Sequence, residues 1–159
     1  MVFTCGSAMT QGKDFFAASA QACRVLDRPG LLLTPYSEQI PFELPGRVRH
    51  VPYVRLDQLL PLVHHGGVGT MAAGIAAGVP QLVVPMAFDQ PDNAQRLTRL
   101  GLGASMGRSA YRDRQAAKVL ARLIGSTCQR SACQAAAAKI DRRMGVDAAC
   151  DAIEAAAGR

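Results

Sequence analysis

Short apolar runs alternate along this chain with longer stretches in which apolar positions recur every third or fourth residue. "MVFTCGS" is apolar until Gly6-Ser7, which predicts a strand followed by a turn. From about Gly12 to Leu26, residues Phe15, Phe16, Ala18, Ala22, Val25 and Leu26 form one stripe at helical spacing. "LLLT" (31–34) reads as a short buried strand, Pro35, Pro41, Pro45 and Gly46 mark a loop, and "VRHV" (48–51) reads as a third strand. "LDQLLPLV" (56–63) stays open between helix and strand, because Pro61 forbids a smooth helix across it. A helix of small residues is predicted from about Gly69 to Ala77, ended by Gly78 and Pro80. "QLVVP" reads as a strand, Pro91 and Asp92 open a helix that Gly101 stops, and "GASM" reads as a last edge strand. Beyond Tyr111 the alanine-rich pattern predicts two or three helices. This alternation is the signature of a doubly wound α/β sheet with right-handed crossovers.

Composition narrows the class. At 159 residues, 49% hydrophobic and 5% aromatic, residues 1–159 suit one domain able to close a core. The apolar volume comes from Ala, Leu and Val, as expected of helices packed on a parallel sheet. No signal-peptide pattern and no run of about 18 apolar residues is present. The expectation is therefore a cytoplasmic protein without a transmembrane segment. Cys5, Cys23, Cys128, Cys133 and Cys150 are scattered and lack the short paired spacing of a zinc site, so reduced thiols are expected. Of the 18 basic residues behind the net charge of +6, eight lie between Arg112 and Arg143 at helical spacing. Without aromatic residues to stack bases, these read as a solvated helix face rather than a nucleic-acid surface. A basic domain still suits an anionic small ligand.

The stretch "VHHGGVGTMAAG" (63–74) carries the chemistry. It follows an apolar run and opens a helix, so its amides lie at the helix's positive end, a ready anion site. Glycines let the backbone approach phosphate oxygens without a Cβ in the way, Thr70 adds a hydroxyl, and His65 can donate a hydrogen bond. His64, nearer the strand, reads as structural. The plainer alternative is a tight turn that only packs a helix on a sheet. A second rival is a dinucleotide-binding oxidoreductase: "GVGTMA" fits G-x-G-x-x-A, with Asp89 downstream as the ribose ligand. Against it, Asp89 lies beyond Pro85 rather than at a strand tip, and the motif sits mid-chain rather than after the first strand.

With "HHGGVGTMAAGIAAGVPQLVVPMAFDQPDNAQRL" in view, the chain resembles the donor-binding, C-terminal half of GT-B glycosyltransferases. Among these it is similar to the bacterial relatives of UDP-glucosyl and UDP-glucuronosyl transferases, including sterol and antibiotic glycosyltransferases. The resemblance runs from "VFTCGSA" through "YSEQIPFELPGRVRHVPYV" to "RLGLGASM". It implies a Rossmann-like parallel sheet flanked by helices, one half of a two-domain enzyme. It also implies an inverting, metal-independent transfer from a nucleoside-diphosphate sugar, UDP-hexose being the expected donor, with no cofactor.

Carried over by position, His65 matches the histidine that contacts the donor diphosphate, and Gly67, Val68, Gly69 and Thr70 match the phosphate loop. Ser7 matches a Ser/Thr that approaches the same phosphates; its plain alternative is a turn residue. Asp89-Gln90 matches the pair that hydrogen-bonds the sugar hydroxyls, a carboxylate beside an amide suiting adjacent hydroxyls. Alternatively, Asp89 and Asn93 cap a helix ahead of "AQRL". Tyr53, with Val54, falls where an aromatic stacks on uracil, the alternative being ordinary packing.

The sequence also departs from the family. "LLP" runs directly into "LVHHGG" where relatives carry about four more residues, so Leu59 to Val63 becomes strand or a preceding helix is lost. Ala73 stands where relatives carry a Glu or Gln that holds the ribose, which implies weakened donor binding. Arg55 and Cys5 each replace a usual Pro. The resemblance places the catalytic base and the pocket for a small-molecule or lipid acceptor in an N-terminal domain. His50, His64 and His65 do not match that base, so the isolated chain is expected to hold donor without catalysing transfer. A non-catalytic relict of the fold is the remaining alternative.

Overall fold

The computed structural model describes residues 1–54, 62–140 and 142–158. The strands are β1 (Val2–Thr4), β2 (Gly30–Leu33), β3 (Val48–Val51), β4 (Leu62–His64), β5 (Gln81–Val83) and β6 (Gly103–Ser105). They form one sheet in the order β3-β2-β1-β4-β5-β6, and every pairing is parallel. The helices are α1 (Lys13–Leu26), α2 (Val68–Ala76), α3 (Gln90–Arg99), α4 (Asp113–Gly125), α5 (Thr127–Ala137) and α6 (Arg142–Ala156). The fold is thus the α/β sheet expected from the alternation, and the Rossmann-like parallel sheet flanked by helices that the resemblance implies.

Side chains alternate across the sheet, and both faces are covered. Phe3, Val63 and Leu82 point to one face, where they pack with Phe16, Ala20, Ala116 and Leu120 of α1 and α4. The neighbouring positions Val2, Leu62 and Val83 point the other way, Val83 packing with Ala94 and Leu97 of α3 and Cys133 of α5. Helix ends follow local chemistry. Asp27 closes α1 in the left-handed region, with the Arg28 amide donating to Cys23 O at 3.0 Å. Ser126 caps α5 by accepting from the Gln129 amide at 3.1 Å.

Two sequence expectations need correction. Val25, placed in the α1 stripe, is 52% exposed: Phe15, Phe16, Ser19, Ala22 and Cys23 complete the buried face without it. Helix α2 begins at Val68 and α3 at Gln90, each one residue earlier than read. Strand β4 pairs Leu62 with Val2 on one side and Gln81 on the other, and the reading of Leu59 to Pro61 as strand lies outside the described residues. Residues 55–61, with the Arg55 and Pro61 readings, lie outside the described residues.

All five cysteines are unpaired, three of them buried. The basic residues Arg114, Lys118 and Arg122 of α4 are exposed, opposite its buried Ala116, Leu120 and Leu123, as a solvated face requires. No helix among the described residues is long and apolar enough to cross a membrane.

Candidate functional site

Strand order reverses between β1 and β4, so the loops leaving their carboxyl ends diverge and open a crevice between them. The two adjacent histidines at the end of β4 face opposite ways because the strand alternates. His64, fully buried, accepts from the Gly66 amide at Nδ1 (3.1 Å) and donates from Nε2 to Gln81 Oε1 (2.9 Å). The Gln81 amide nitrogen in turn donates to Met71 O of α2 at 3.3 Å. Burial pushes the His64 pKa down to about 4, against the Gln81 hydrogen bond, so the imidazole is neutral and structural.

His65 instead projects into the crevice. A Cβ on Gly6 would lie 2.6 Å from its Cε1, and a Cβ on Gly67 would lie 2.6 Å from its Nε2. The ring is therefore sandwiched between the β1 and β4 loops, and both positions need glycine, Gly6 also for its φ of +81°. Gly67 thus owes its identity to the imidazole beside it. At Gly69 a Cβ would meet nothing, so that side of the loop is open. Burial lowers the His65 pKa, the Asp89 carboxylate opposing, and its buried Nδ1 has no partner among the described residues.

The first hydrogen bond of α2 runs from the Met71 amide to Gly67 O at 3.0 Å, and Gly67 offers no side-chain cap. The preceding amides of Val68, Gly69 and Thr70 are therefore the helix's unsatisfied donors. They border a cleft of about 390 Å³ lined by Gly6, Ser7, His65, Thr70, Phe88 and Gln90. A second pocket of about 400 Å³, lined by Leu33, Thr34, Pro35, Tyr53 and Val54, shares Gly6, Ser7 and Thr70 with it. Ser7 and Thr70 thus stand at the junction of two chambers. Tyr53 is 80% exposed, which is not ordinary packing. A larger cavity, about 820 Å³, is lined by α1, by Val84 and Met86 after β5 and by residues after β6.

The Asp89-Gln90 pair divides its work. Gln90 is buried, and its Oε1 accepts from the amides of Met86 (2.8 Å) and Ala87 (3.0 Å), leaving the amide nitrogen as its remaining donor toward the cleft. Asp89 is exposed and accepts from Asn93 Nδ2 at 2.7 Å. Asn93 also donates to Gly66 O at 3.0 Å, tying α3 to the glycine loop, a role its position after "FDQPD" does not announce. Cys5 borders the cleft, but burial pushes its thiol up to about 12, so it stays protonated. No group of three or more His, Cys, Asp or Glu side chains among the described residues is placed to hold a metal ion.

Residues 34–147 match the family described as "Erythromycin biosynthesis protein CIII-like, C-terminal domain". The chain belongs to this family. It is a glycosyltransferase C-terminal domain of GT-B architecture. Aclacinomycin-T 2-deoxy-L-fucose transferase of Streptomyces galilaeus is 48% identical over 66 residues, 38% of this chain and 15% of that enzyme. The structure of the kitacinnamycin glycosyltransferase superposes with a TM-score of 0.85 at 24% identity, over 96% of this chain and 41% of that one. Glycosyltransferase VinC, solved in complex with dTDP, gives 0.68 at 30% identity, over 86% of this chain and 36% of its own. The chain thus spans less than half the length of each of these glycosyltransferases.

Proposed function

We propose that this domain binds a pyrimidine nucleoside-diphosphate sugar and serves as the donor half of an inverting glycosyltransferase. The observation that carries the reading is the row of open amides at Val68–Thr70, set at the junction of two pockets. The diphosphate lies against these amides, Ser7, Thr70 and the His65 imidazole. The sugar lies toward Asp89 and Gln90, and the base toward Tyr53 and Val54, where the exposed phenol ring offers a stacking face. In transfer, an acceptor oxygen deprotonated by a base in the N-terminal domain attacks the anomeric carbon. The nucleoside diphosphate departs from the opposite face with the bonding electron pair. The helix amides stabilise the charge gathering on it, so the proposal needs neither metal nor cofactor. The acceptor is a small molecule or lipid, and the reaction belongs in the cytoplasm.

The resemblance implies UDP-hexose as donor; the dTDP bound to VinC favours a thymidine diphosphate sugar instead. Titration calorimetry with dTDP, UDP and NAD separates these readings from the oxidoreductase one. Saturable heat is expected with dTDP, weaker heat with UDP and none with NAD. His65→Ala and Thr70→Ala each weaken binding about 5- to 20-fold, the worth of one charge-assisted hydrogen bond. No heat from either pyrimidine nucleotide at millimolar concentration, or tightest binding of NAD, overturns the proposal. Silence of all three ligands would favour the relict.

A further inference from the structure

The loop that follows β1, residues 5–12, brings Gly6 and Ser7 to the junction of the two pockets, yet little in its own sequence holds it there. Its residues are small or polar, and only Cys5 and Met9 pack against the core. The connection after β2 supplies what is missing. Gln39, 2% exposed, accepts from the Gly12 amide at Oε1 (3.2 Å) and donates from Nε2 to Met9 O (2.9 Å). Tyr36 donates its hydroxyl to Ser7 O at 3.0 Å. The connection is itself braced: Thr34 Oγ1 accepts from the Tyr36 amide at 3.2 Å, and Ile40 closes a tight turn by donating to Ser37 O at 3.0 Å. Gly12 belongs to the same arrangement, since a Cβ there would collide with Gln39 Oε1.

We infer that Gln39 and Tyr36 are positioning residues that clasp the loop after β1 in its ligand-binding shape. Three backbone groups of the loop, Ser7 O, Met9 O and the Gly12 amide, are gathered by two side chains from one connection. The loop's conformational freedom is thereby surrendered on folding rather than on binding, which is preorganisation. The clasp also keeps Gly6 against the His65 ring, so it sets both walls of the crevice at once. This inference rests on the donor-binding reading of the same crevice.

Tyr36→Phe removes one oxygen from a half-buried ring, and Gln39→Met keeps length while deleting both hydrogen bonds of the buried amide. Hydrogen exchange of the amides at 6–12 in the unliganded 159-residue chain and calorimetric dTDP affinity are measured for both variants. Expected are faster exchange confined to 6–12, dTDP binding weaker by about fivefold for Tyr36→Phe and about tenfold for Gln39→Met, and restored protection at saturating dTDP. A purely structural bond would lower thermal stability without moving affinity in the folded protein. Unchanged exchange in Tyr36→Phe, or faster exchange with unchanged dTDP affinity, overturns the inference alone. Failure of the wild type to bind dTDP or UDP overturns the donor reading, and the positioning role with it.

Discussion

His64 and His65 differ by one position and carry opposite duties, because one faces the α2 side of the sheet and the other leaves it. Nothing in the dipeptide distinguishes them except proximity to the strand. The consequence for His64 is measurable. Its native pKa of about 4 lies below the ordinary 6.5, so between those values the unfolded chain binds a proton that the native state refuses. Its contribution to stability is complete above pH 6.5 and is lost as pH falls toward about 4. The full loss is about 3 kcal/mol at most. Urea midpoints measured from neutral to mildly acid pH should fall in the wild type, and His64→Asn should flatten that slope while lowering stability at pH 7. An unaltered slope in His64→Asn would assign the acid sensitivity elsewhere. Gln39 and Asn93 are residues whose tasks no local pattern announces, because each bonds backbone 27 residues away.

At the scale of elements, most boundaries were legible from apolar runs punctuated by Gly and Pro. Gly78 takes a φ of +66° after α2, and Pro91 enters the first turn of α3. Strand β4 is hard to read from the sequence because Pro61 precedes it, whereas its register is explicit in the pairing of Leu62 with Val2 and Gln81. Helix α2 offers a direct test of the departure at Ala73. Thr70 borders both pockets, and Ala73 lies three residues on, one turn along the same face. Ala73→Glu should place a carboxylate within reach of the ribose hydroxyls and tighten dTDP binding about three- to tenfold, roughly one hydrogen bond. The same affinity or a weaker one, by calorimetry, would mean that α2 presents this position elsewhere.

For the molecule as a whole, a ligand that bridges the β1 and β4 loops joins the two halves of the sheet at their seam. Saturating dTDP should therefore raise the melting temperature. At 100 times its dissociation constant the gain is about 2.7 kcal/mol, or roughly 5–10 °C for a domain of this size. NAD at equal concentration should leave the calorimetric transition unmoved; a larger shift with NAD would return the oxidoreductase reading. The sequence by itself determined the alternation of strand and helix, the glycine loop opening α2, and kinship with glycosyltransferase donor domains. Periodicity, turn chemistry and helix polarity are written within a few residues of one another. Only the tertiary structure decided the order β3-β2-β1-β4-β5-β6, the hydrogen bonds that hold His64 between Gly66 and Gln81, the union of two pockets at Ser7 and Thr70, and the clasp of Gln39. Parallel pairing and burial bring distant segments together, and which side chain meets which backbone group follows from that packing, not from any one segment.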